Sequence, residues 1–425
     1  MRISDILYLL GKSNDIPDKY IKSFKLDSRS ITTGDVFIDV SGNIDYIIDS
    51  INNGAMLVIS TIKYDNNICI CVDDISYALQ ILVNSWVSYV NIPIIAVTGS
   101  CGKTTTKELI YDVLSTKYKV LKNKDNYNNI FGLSKTLFEL NKSYDVCVVE
   151  LGMNHRGEIN ILSRMCNPDI GIITNIGSSH IGNLNGKKNI FISKCEILNG
   201  MKDSLLLING DDRYLNKVKY CNTIKVGLKR RNHFKCTNLR IEDGYLYFNV
   251  EDAIYKFCIP NKKYIYSLLM SIYIGLLYNI DERDMKNVFL NYKAIKGRCS
   301  INYVDNYILI DDTYNASLES ILSGLNMVNT YNKESIIVLG DIKEIDGYEK
   351  KIYKKLNKAL KRFDNVILFG ECSKYLKGYK AFNNLDDLYS YIYNLDKNNK
   401  VLYLKASRKM NLDYVVDKLL INNSK

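Results

Sequence analysis

The stretch Val97 to Lys107, VTGSCGKTTTK, constrains this chain more than any other. The apolar run Ile94, Ile95, Ala96, Val97 before it has the composition of a buried parallel strand. After it, Leu109, Ile110, Val113 and Leu114 fall on one face of a helix. Gly99 to Lys103 therefore occupies a strand-to-helix turn. Gly99 and Gly102 let the backbone curl so that its N–H groups point inward, and the helix N-terminus adds the positive end of its dipole. In such a turn Lys103 reaches the β- and γ-phosphates of a nucleotide, and the Thr104 hydroxyl is placed to ligate Mg²⁺. Val97 stands where the general nucleotidase pattern has its first glycine, so the loop reads as the shorter G-x-x-G-K-T-T. The alternative is a glycine-rich turn with a solvated lysine, and the strand before and helix after argue against it.

A chain of 425 residues is too long for one core, and two or three domains are expected. With 47% hydrophobic and 24% charged residues the composition is that of an ordinary globular protein. Lys and Arg number 57 against 46 Asp and Glu, a net charge of +11 that raises nucleic acid or anionic substrates as partners. The charge reads as scattered, with one dense cluster at Lys229, Arg230, Arg231, His233 and Lys235, taken as a solvated loop. No basic stripe with interleaved aromatics stands out, so nucleic acid is not expected as a partner. The eleven cysteines include no C-x-x-C pair and the chain has three histidines, which fits reduced thiols rather than a zinc site or a disulfide framework. No signal-type segment opens the chain, and the longest apolar stretch, near Ser267 to Ile280, is too short and too polar to span a bilayer. A soluble, cytoplasmic protein is expected.

Residues 1 to about 90 carry short strand signals rather than a long helix: Val36 to Val40, Met56 to Ser60 and Ile68 to Val72. Asp27-Ser28-Arg29 offers donors for a phosphate or a polar base, with a surface loop as the plainer alternative. From 91 to 298 strands and helices alternate, as a parallel sheet with crossover helices requires. The strand DVCVVE, 145–150, ends in Glu150, which the strand-end rule places beside the phosphate loop, close enough to hold Mg²⁺. A third strand, Ile170 to Asn175, delivers Gly177-Ser178-Ser179-His180 to the same edge. On spacing alone His180 is either a metal ligand or polar packing. A helix near 187–199 carries Lys194, which by its residue type reads as solvated. A meander is expected over Cys236 to Ile259, turning at Asp243-Gly244, followed by helices near 264–279 and 282–292. Residues 299 to 425 resume the alternation, with strands at Tyr307–Ile310, Ile336–Leu339, Val366–Phe369 and Val401–Leu404 and a helix over Tyr348–Phe363. The expected fold is α/β in three domains: a small α/β domain over 1–90, a central P-loop parallel sheet over 91–298, and a Rossmann-like domain over 299–425.

Ten motifs run through the chain in order: DSRSITTGDVF at 27–37, TGSCGKTTTKE at 98–108, NYNNIFGLSKTL at 126–137, ELGMNHRGEI at 150–159, TNIGSSHIGNL at 174–184, SKCEI at 193–197, GR at 297–298, IDDTYNAS at 310–317, VLGDIKEI at 338–345 and KASR at 405–408. Together they resemble the Mur ligases, ATP-dependent amide-forming enzymes of peptidoglycan precursor synthesis. The pattern is most similar to the branch that joins D-alanyl-D-alanine to UDP-N-acetylmuramoyl-tripeptide. The resemblance implies ATP contacts at Gly99, Ser100, Cys101, Gly102, Lys103, Thr104, Thr105, Arg298, Asp312, Tyr314 and Asn315. It implies substrate contacts at Ser28, Arg29, Asn128, Asn129, Lys405, Ser407 and Arg408. It also implies two Mg²⁺ ions, held by Thr104, Glu150, His180 and Lys194, with the Lys194 amine carbamylated into an anionic ligand. Lys103, Glu150, His180 and Lys194 are then the catalytic set, in a monomer.

This sequence departs from the family pattern in three places. A D-G-H segment is shortened to Gly42-Asn43-Ile44-Asp45-Tyr46; a G-R-H-N stretch has become Pro260-Asn261-Lys262-Lys263-Tyr264, with Ser267 where an asparagine is common; and Ser317-Leu318 replaces N-P. These bear on sugar-peptide and adenine recognition more than on the reaction type. The diaminopimelate-adding branch would carry D-N-P-R in its third domain, which is not found here. Folylpolyglutamate synthases lack the DSR-type segment, and a P-loop switch or nucleic-acid binder is supported by net charge alone.

Overall fold

The structure is a computed structural model and describes residues 1–13 and 15–422. Three sheets follow one another along the chain. The first is a small, all-parallel sheet in the order β1-β2-β3-β4, built from β1 (Ser23–Lys25), β2 (Asp35–Ile38), β3 (Leu57–Ser60) and β4 (Cys69–Cys71). Helices α1 (Ile3–Leu9) and α2 (Ile44–Asn52) accompany it.

Residues 75–90 correct the expectation of short strands alone in this region. They form α3 (Ile75–Val90), a helix of 16 residues started by the Asp74 carboxylate, which accepts from the N–H groups of Ser76 and Tyr77. Ala78, Leu79, Leu82, Val83, Trp86, Val87 and Val90 are buried at helical spacing, and Asn91 ends the helix in the left-handed conformation. This face packs on the central-region helices Ile130–Leu137 and Glu158–Cys166, and the Trp86 indole N–H donates to the Leu140 carbonyl. Phe24 of the first sheet lies edge-on to Trp86 and against Phe138, so α3 is shared between two layers.

The central sheet has nine strands. In chain order its elements are β5 (Ile94–Thr98), α4 (Lys103–Leu114), β6 (Val120–Lys122), α5 (Ile130–Leu137), β7 (Val146–Glu150), α6 (Glu158–Cys166), β8 (Ile170–Ile173), α7 (Ile181–Leu184), α8 (Lys187–Cys195), β9 (Leu205–Asn209) and β10 (Thr223–Gly227). The meander β11 (Phe234–Glu242), β12 (Tyr245–Val250) and β13 (Ala253–Phe257) follows, then α9 (Ile265–Leu277) and α10 (Glu282–Leu290). The strand order β13-β12-β11-β10-β9-β8-β5-β7-β6 places β5 between β7 and β8, where the winding reverses direction. The carboxyl ends of strands at such a point open a crevice for ligand. Strands β5, β7 and β8 are buried along their whole length, which explains why they are rich in Val and Ile.

The third sheet has the order β14-β15-β19-β16-β17-β18, parallel except for the edge hairpin of β14 (Ser300–Val304) and β15 (Tyr307–Asp312). Its other elements are α11 (Leu318–Val328), β16 (Ser335–Gly340), α12 (Glu349–Leu360), β17 (Asn365–Phe369), β18 (Lys380–Phe382), α13 (Leu385–Asn394), β19 (Val401–Lys405) and α14 (Asp413–Asn422). Helix α12 corrects the charge reading. Its inner face buries Ile352, Tyr353, Leu356 and Leu360, while Lys350, Lys351, Lys354, Lys355 and Lys358, with Lys361 and Arg362 just beyond, are exposed on the opposite face. The chain therefore has a second dense group of cations besides residues 229–235. None of the described helices is long and apolar enough to cross a membrane.

Candidate active site

The turn after β5 is shaped by two glycines for different reasons. Gly99 has φ +146, and a Cβ on it would lie 2.0 Å from the Thr174 hydroxyl oxygen. Gly102 has φ +80 and occupies the residue before α4, where a left-handed backbone is needed. The exit of β8 fixes the loop from the side. The Asn175 carbonyl accepts from Ser100 N (3.0 Å) and its Oδ1 accepts from Cys101 N (3.0 Å). Thr174 Oγ1 and Asn175 Nδ2 donate to the Cys101 carbonyl at 2.6 and 2.8 Å. Lys103 Nζ donates to the Gly99 carbonyl at 2.9 Å. Lys103 therefore lies back against the loop's own curl.

Glu150, at the end of β7, faces this loop. Thr104 Oγ1 donates to its Oε2 at 2.6 Å, and Asn128 Nδ2 donates to its Oε1 at 2.9 Å. Burial alone would raise the Glu150 carboxyl. The charges of Lys103 and Arg298 and the bonds from Thr104 and Asn128 outweigh it and hold the carboxyl below the ordinary glutamate value. Lys194, on α8, overturns the reading of a solvated lysine: it is 1% exposed, and its Nζ has no hydrogen-bond partner. Burial, and next the charge of Lys103, push its amine well below the usual lysine range, against the opposing pull of Glu150. A buried amine with no partner and a depressed pKa is unstable as an ammonium and nucleophilic as the free base.

A cleft of about 870 Å³ opens over the loop. Ser100, Cys101, Gly102, Lys103, Thr105, Asn128, Asn129, Glu150 and His180 line it from the central region, and Arg298, Asp312, Tyr314, Asn315 and Lys405 from the hinge and third sheet. Arg298 stacks its guanidinium 4.0 Å from the Tyr314 ring centre. Asp312 accepts from Tyr403 OH at 2.9 Å and from Lys405 Nζ at 2.5 Å, so the lysine expected at the dipeptide cleft is held by the carboxylate expected at ATP. Lys405 also donates to the Asn315 carbonyl.

The third sheet holds the 177–187 segment by two carboxylates. Glu319, in the first turn of α11, accepts from Ser178 N (3.0 Å), Ser178 Oγ (2.5 Å) and Lys187 Nζ (2.8 Å). Glu344 Oε2 lies 2.6 Å from His180 Nδ1, and the Glu344 carbonyl accepts from Gly182 N. His180 thus lines the cleft with its Nδ1 at ion-pair distance from a carboxylate of the third region. Burial would raise the Glu319 carboxyl, yet Lys187 and Ser178 hold it below the ordinary 4.5. A lowered carboxyl stabilises the fold above 4.5, and that contribution is lost as pH falls through the folded-state value. Glu319→Gln is expected to lower Tm by roughly 2 °C near neutrality. Scanning calorimetry of both proteins from about pH 7 to about pH 3 should show the difference closing on the acid side.

Other expected residues lie elsewhere. Ser28 is buried under α2, its carbonyl accepting from Asn53 Nδ2, while Arg29, with a side chain 85% exposed, pairs through Nε and a terminal nitrogen with its neighbour Asp27. Asn129 also caps α5, accepting from Gly132 N. Ser407 Oγ accepts from Lys343 N, and Arg408 is bound to Asp413. Ser28, Arg29, Ser407 and Arg408 do not line the central cleft, and neither do two expected metal ligands: Thr104 touches Glu150 of the lining, and Lys194 is enclosed in the core. Asn175, Glu319 and Glu344 were missed from the sequence. Asn175 was signalled by its place at a strand end within TNIGSSH and Glu344 by its place within VLGDIKEI, whereas Glu319 had no local signal; the partners of both glutamates lie far along the chain. Ser267 Oγ, at the substituted position, accepts from Thr106 Oγ1 at 2.8 Å, seating α9 against the loop helix.

Fold and site together define a phosphate-loop α/β protein in which a second doubly wound sheet covers the loop. Residues 97–274 match the family model described as the Mur ligase middle domain. The UDP-N-acetylmuramoyl-tripeptide--D-alanyl-D-alanine ligase of Bacillus subtilis is 30% identical over 375 residues, 84% of this chain and 82% of the relative; that of Synechocystis is 31% identical over 371 residues, 83% and 80%. Among solved structures, MurF from Acinetobacter baumannii superposes with a TM-score of 0.87 at 22% identity, covering 98% of each chain. MurF ligase from Thermotoga maritima in complex with ADP gives 0.85 at 24%, covering 97% of this chain and 99% of that one. This chain belongs to the Mur ligase family.

Proposed function

We propose that this protein is an ATP-dependent amide-bond ligase that joins D-alanyl-D-alanine to UDP-N-acetylmuramoyl-tripeptide, the reaction in its relatives' names, during synthesis of peptidoglycan precursors. The observation that carries this reading is that Lys103 and Glu150 line one cleft, with Thr104 bonded to Glu150 and the buried Lys194 within charge range of both, in a chain that spans four-fifths of those relatives. A peptide carboxylate is a poor electrophile, so the tripeptide is activated by taking the γ-phosphoryl group of ATP as an acyl phosphate, which the dipeptide amine then displaces. Two anions must meet in the first step. Lys103 and the N–H groups of residues 99–104 supply fixed positive charge where the phosphates sit, and Arg298 adds a further cation at the cleft wall. Glu319 and Glu344 hold the segment that carries His180. We assign residues 1–90 to the uridine-nucleotide substrate, with Ser28 and Arg29 as contacts, and Ser407 and Arg408 to the dipeptide side.

The donor set fits Mg²⁺. The described residues bring no three His, Cys, Asp or Glu side chains together, so an ion here would draw on the Thr104 hydroxyl, the Glu150 carboxylate, nucleotide phosphates and Lys194 in modified form, with His180 at the rim. Addition of CO₂ to the neutral Lys194 amine forms an N–C bond, releases one proton and leaves a carbamate oxygen pair in place of an orphaned donor. When bound, Mg²⁺ would supply charge neutralisation at the transferring phosphoryl group. We further assign a monomer and a cytoplasmic location. With purified protein, phosphate release is expected when UDP-N-acetylmuramoyl-tripeptide is offered with D-alanyl-D-alanine, and not when UDP-linked acceptors are offered with meso-diaminopimelate or glutamate. Turnover with diaminopimelate alone would reject the assignment.

A further inference from the structure

Behind Glu150 lies a fully buried asparagine that the chemistry above does not use. Asn123 follows the last residue of β6, and its side chain treats the end of β7 as a strand neighbour would. Oδ1 accepts from Glu150 N at 2.9 Å, and Nδ2 donates to the Glu150 carbonyl at 3.2 Å. The amide thus extends the parallel β6–β7 ladder, paired as far as Lys122↔Val148, by one more rung made from a side chain. Nδ2 also donates to the Tyr127 carbonyl at 2.8 Å, which fixes the peptide just before Asn128. The Asn123 backbone is held in turn: its carbonyl accepts from Lys107 Nζ at 2.6 Å. Lys107 is 0% exposed and sits one helical turn after Lys103 on α4, its charge balanced by Glu108 at 3.0 Å. A buried ammonium is costly unless it is paired and hydrogen-bonded, and Lys107 is both.

We propose that Asn123 is the positioning residue of this site, setting the Glu150 carboxylate and Asn128 against Thr104, with Lys107 anchoring it to the loop helix. Three elements bring groups to the nucleotide edge: α4 with Lys103 and Thr104, the segment after β6 with Asn128, and the end of β7 with Glu150. Each reaches Asn123 directly or through Lys107. The two bonds on the Glu150 carboxylate, from Thr104 and Asn128, come from the other two elements, so a shift of the β7 end disturbs both and a shift of either other element disturbs one. Main-chain bonds on both sides of the Glu150 α-carbon leave its side chain little freedom to swing. The proposal rests on the reading of Glu150 as a group that serves the nucleotide and its metal.

The test is Mn²⁺ binding to the purified full chain with a non-hydrolysable ATP analogue, followed by electron paramagnetic resonance, for wild type, Asn123→Ala and Lys107→Met. The Mn²⁺ dissociation constant is expected to rise about tenfold in Asn123→Ala and about threefold in Lys107→Met. The Mg²⁺ concentration for half-maximal turnover should rise in parallel, while metal-free ADP affinity and KM for D-alanyl-D-alanine stay within about twofold, a split that general loss of packing would not give. Should Asn123→Ala fail to fold, Lys107→Met, which replaces the ammonium by an apolar group of similar length, decides. Wild-type Mn²⁺ affinity in the folded variants would overturn the positioning role alone. A wild-type protein that binds the analogue but no Mn²⁺ would instead overturn the reading of Glu150 and the proposal with it.

Discussion

Lys194→Ala is expected to lose about 10³-fold in turnover or more, with ADP binding in the absence of metal nearly intact. The side chain is buried beside Lys103 and Glu150 with no partner of its own, so as a plain lysine it would set one cation against another where phosphate charge must be neutralised. As a carbamate it supplies an anion at the same point. Alanine leaves a gap where that anion stood, and millimolar acetate or formate should restore part of the rate. Mass measurement of the intact wild-type protein after trapping of the carbamate gives a second readout. Normal turnover by the unrescued variant would remove Lys194 from the metal site.

The second large effect is expected at Gly99. A methyl group there would stand 2.0 Å from Thr174 Oγ1, whose hydroxyl is committed to the Cys101 carbonyl, and φ +146 is strained for any L side chain. Neither partner can give: Thr174 is buried, and β8 fixes its backbone, with Thr174 N donating to Thr98 O. Gly99→Ala should therefore push the loop off the strand exit. Overpacking of this kind costs about 1–3 kcal/mol of stability, and a displacement near 1 Å at the phosphates costs about 100-fold in rate. Calorimetric titration with ADP, alongside a urea melt, separates the two losses. Wild-type ADP affinity in the variant would mean that the loop is not where nucleotide binds.

What the sequence made legible follows the range over which each feature is determined. The loop, its strand and its helix are fixed by some twenty consecutive residues, and the structure reproduces them within a residue or so. Glu150 was legible because one rule about strand ends converts a one-dimensional position into a place at the site. Helix α3 was not recognised because ISYALQILVNSWVSYV is rich in β-branched and aromatic residues, whose local preference is for strands. Its Asp74 cap and its buried repeat were present but outvoted by composition. The cation face of α12 was likewise visible as lysines three and four apart, and was lost in a chain where lysine is common everywhere. Lys194 shows the opposite limit. Its residue type alone predicts a solvated cation; family resemblance set it in the site, and only the fold shows that it is buried with an orphaned nitrogen. Glu319 and Glu344 act on residues more than 130 positions away, and no window along the chain contains both ends of such a contact.

Apart from one main-chain bond, from Gly182 N to the Glu344 carbonyl, the polar contacts by which the third sheet grips the 177–187 segment are carboxylates on a peptide N–H, a serine, a lysine and a histidine. Water can take over each of them at little loss, which would not be true of interlocked leucines. Polar fastenings of that kind can be undone and remade at little cost, and salt should speed the exchange of spent nucleotide by weakening the same ion pairs.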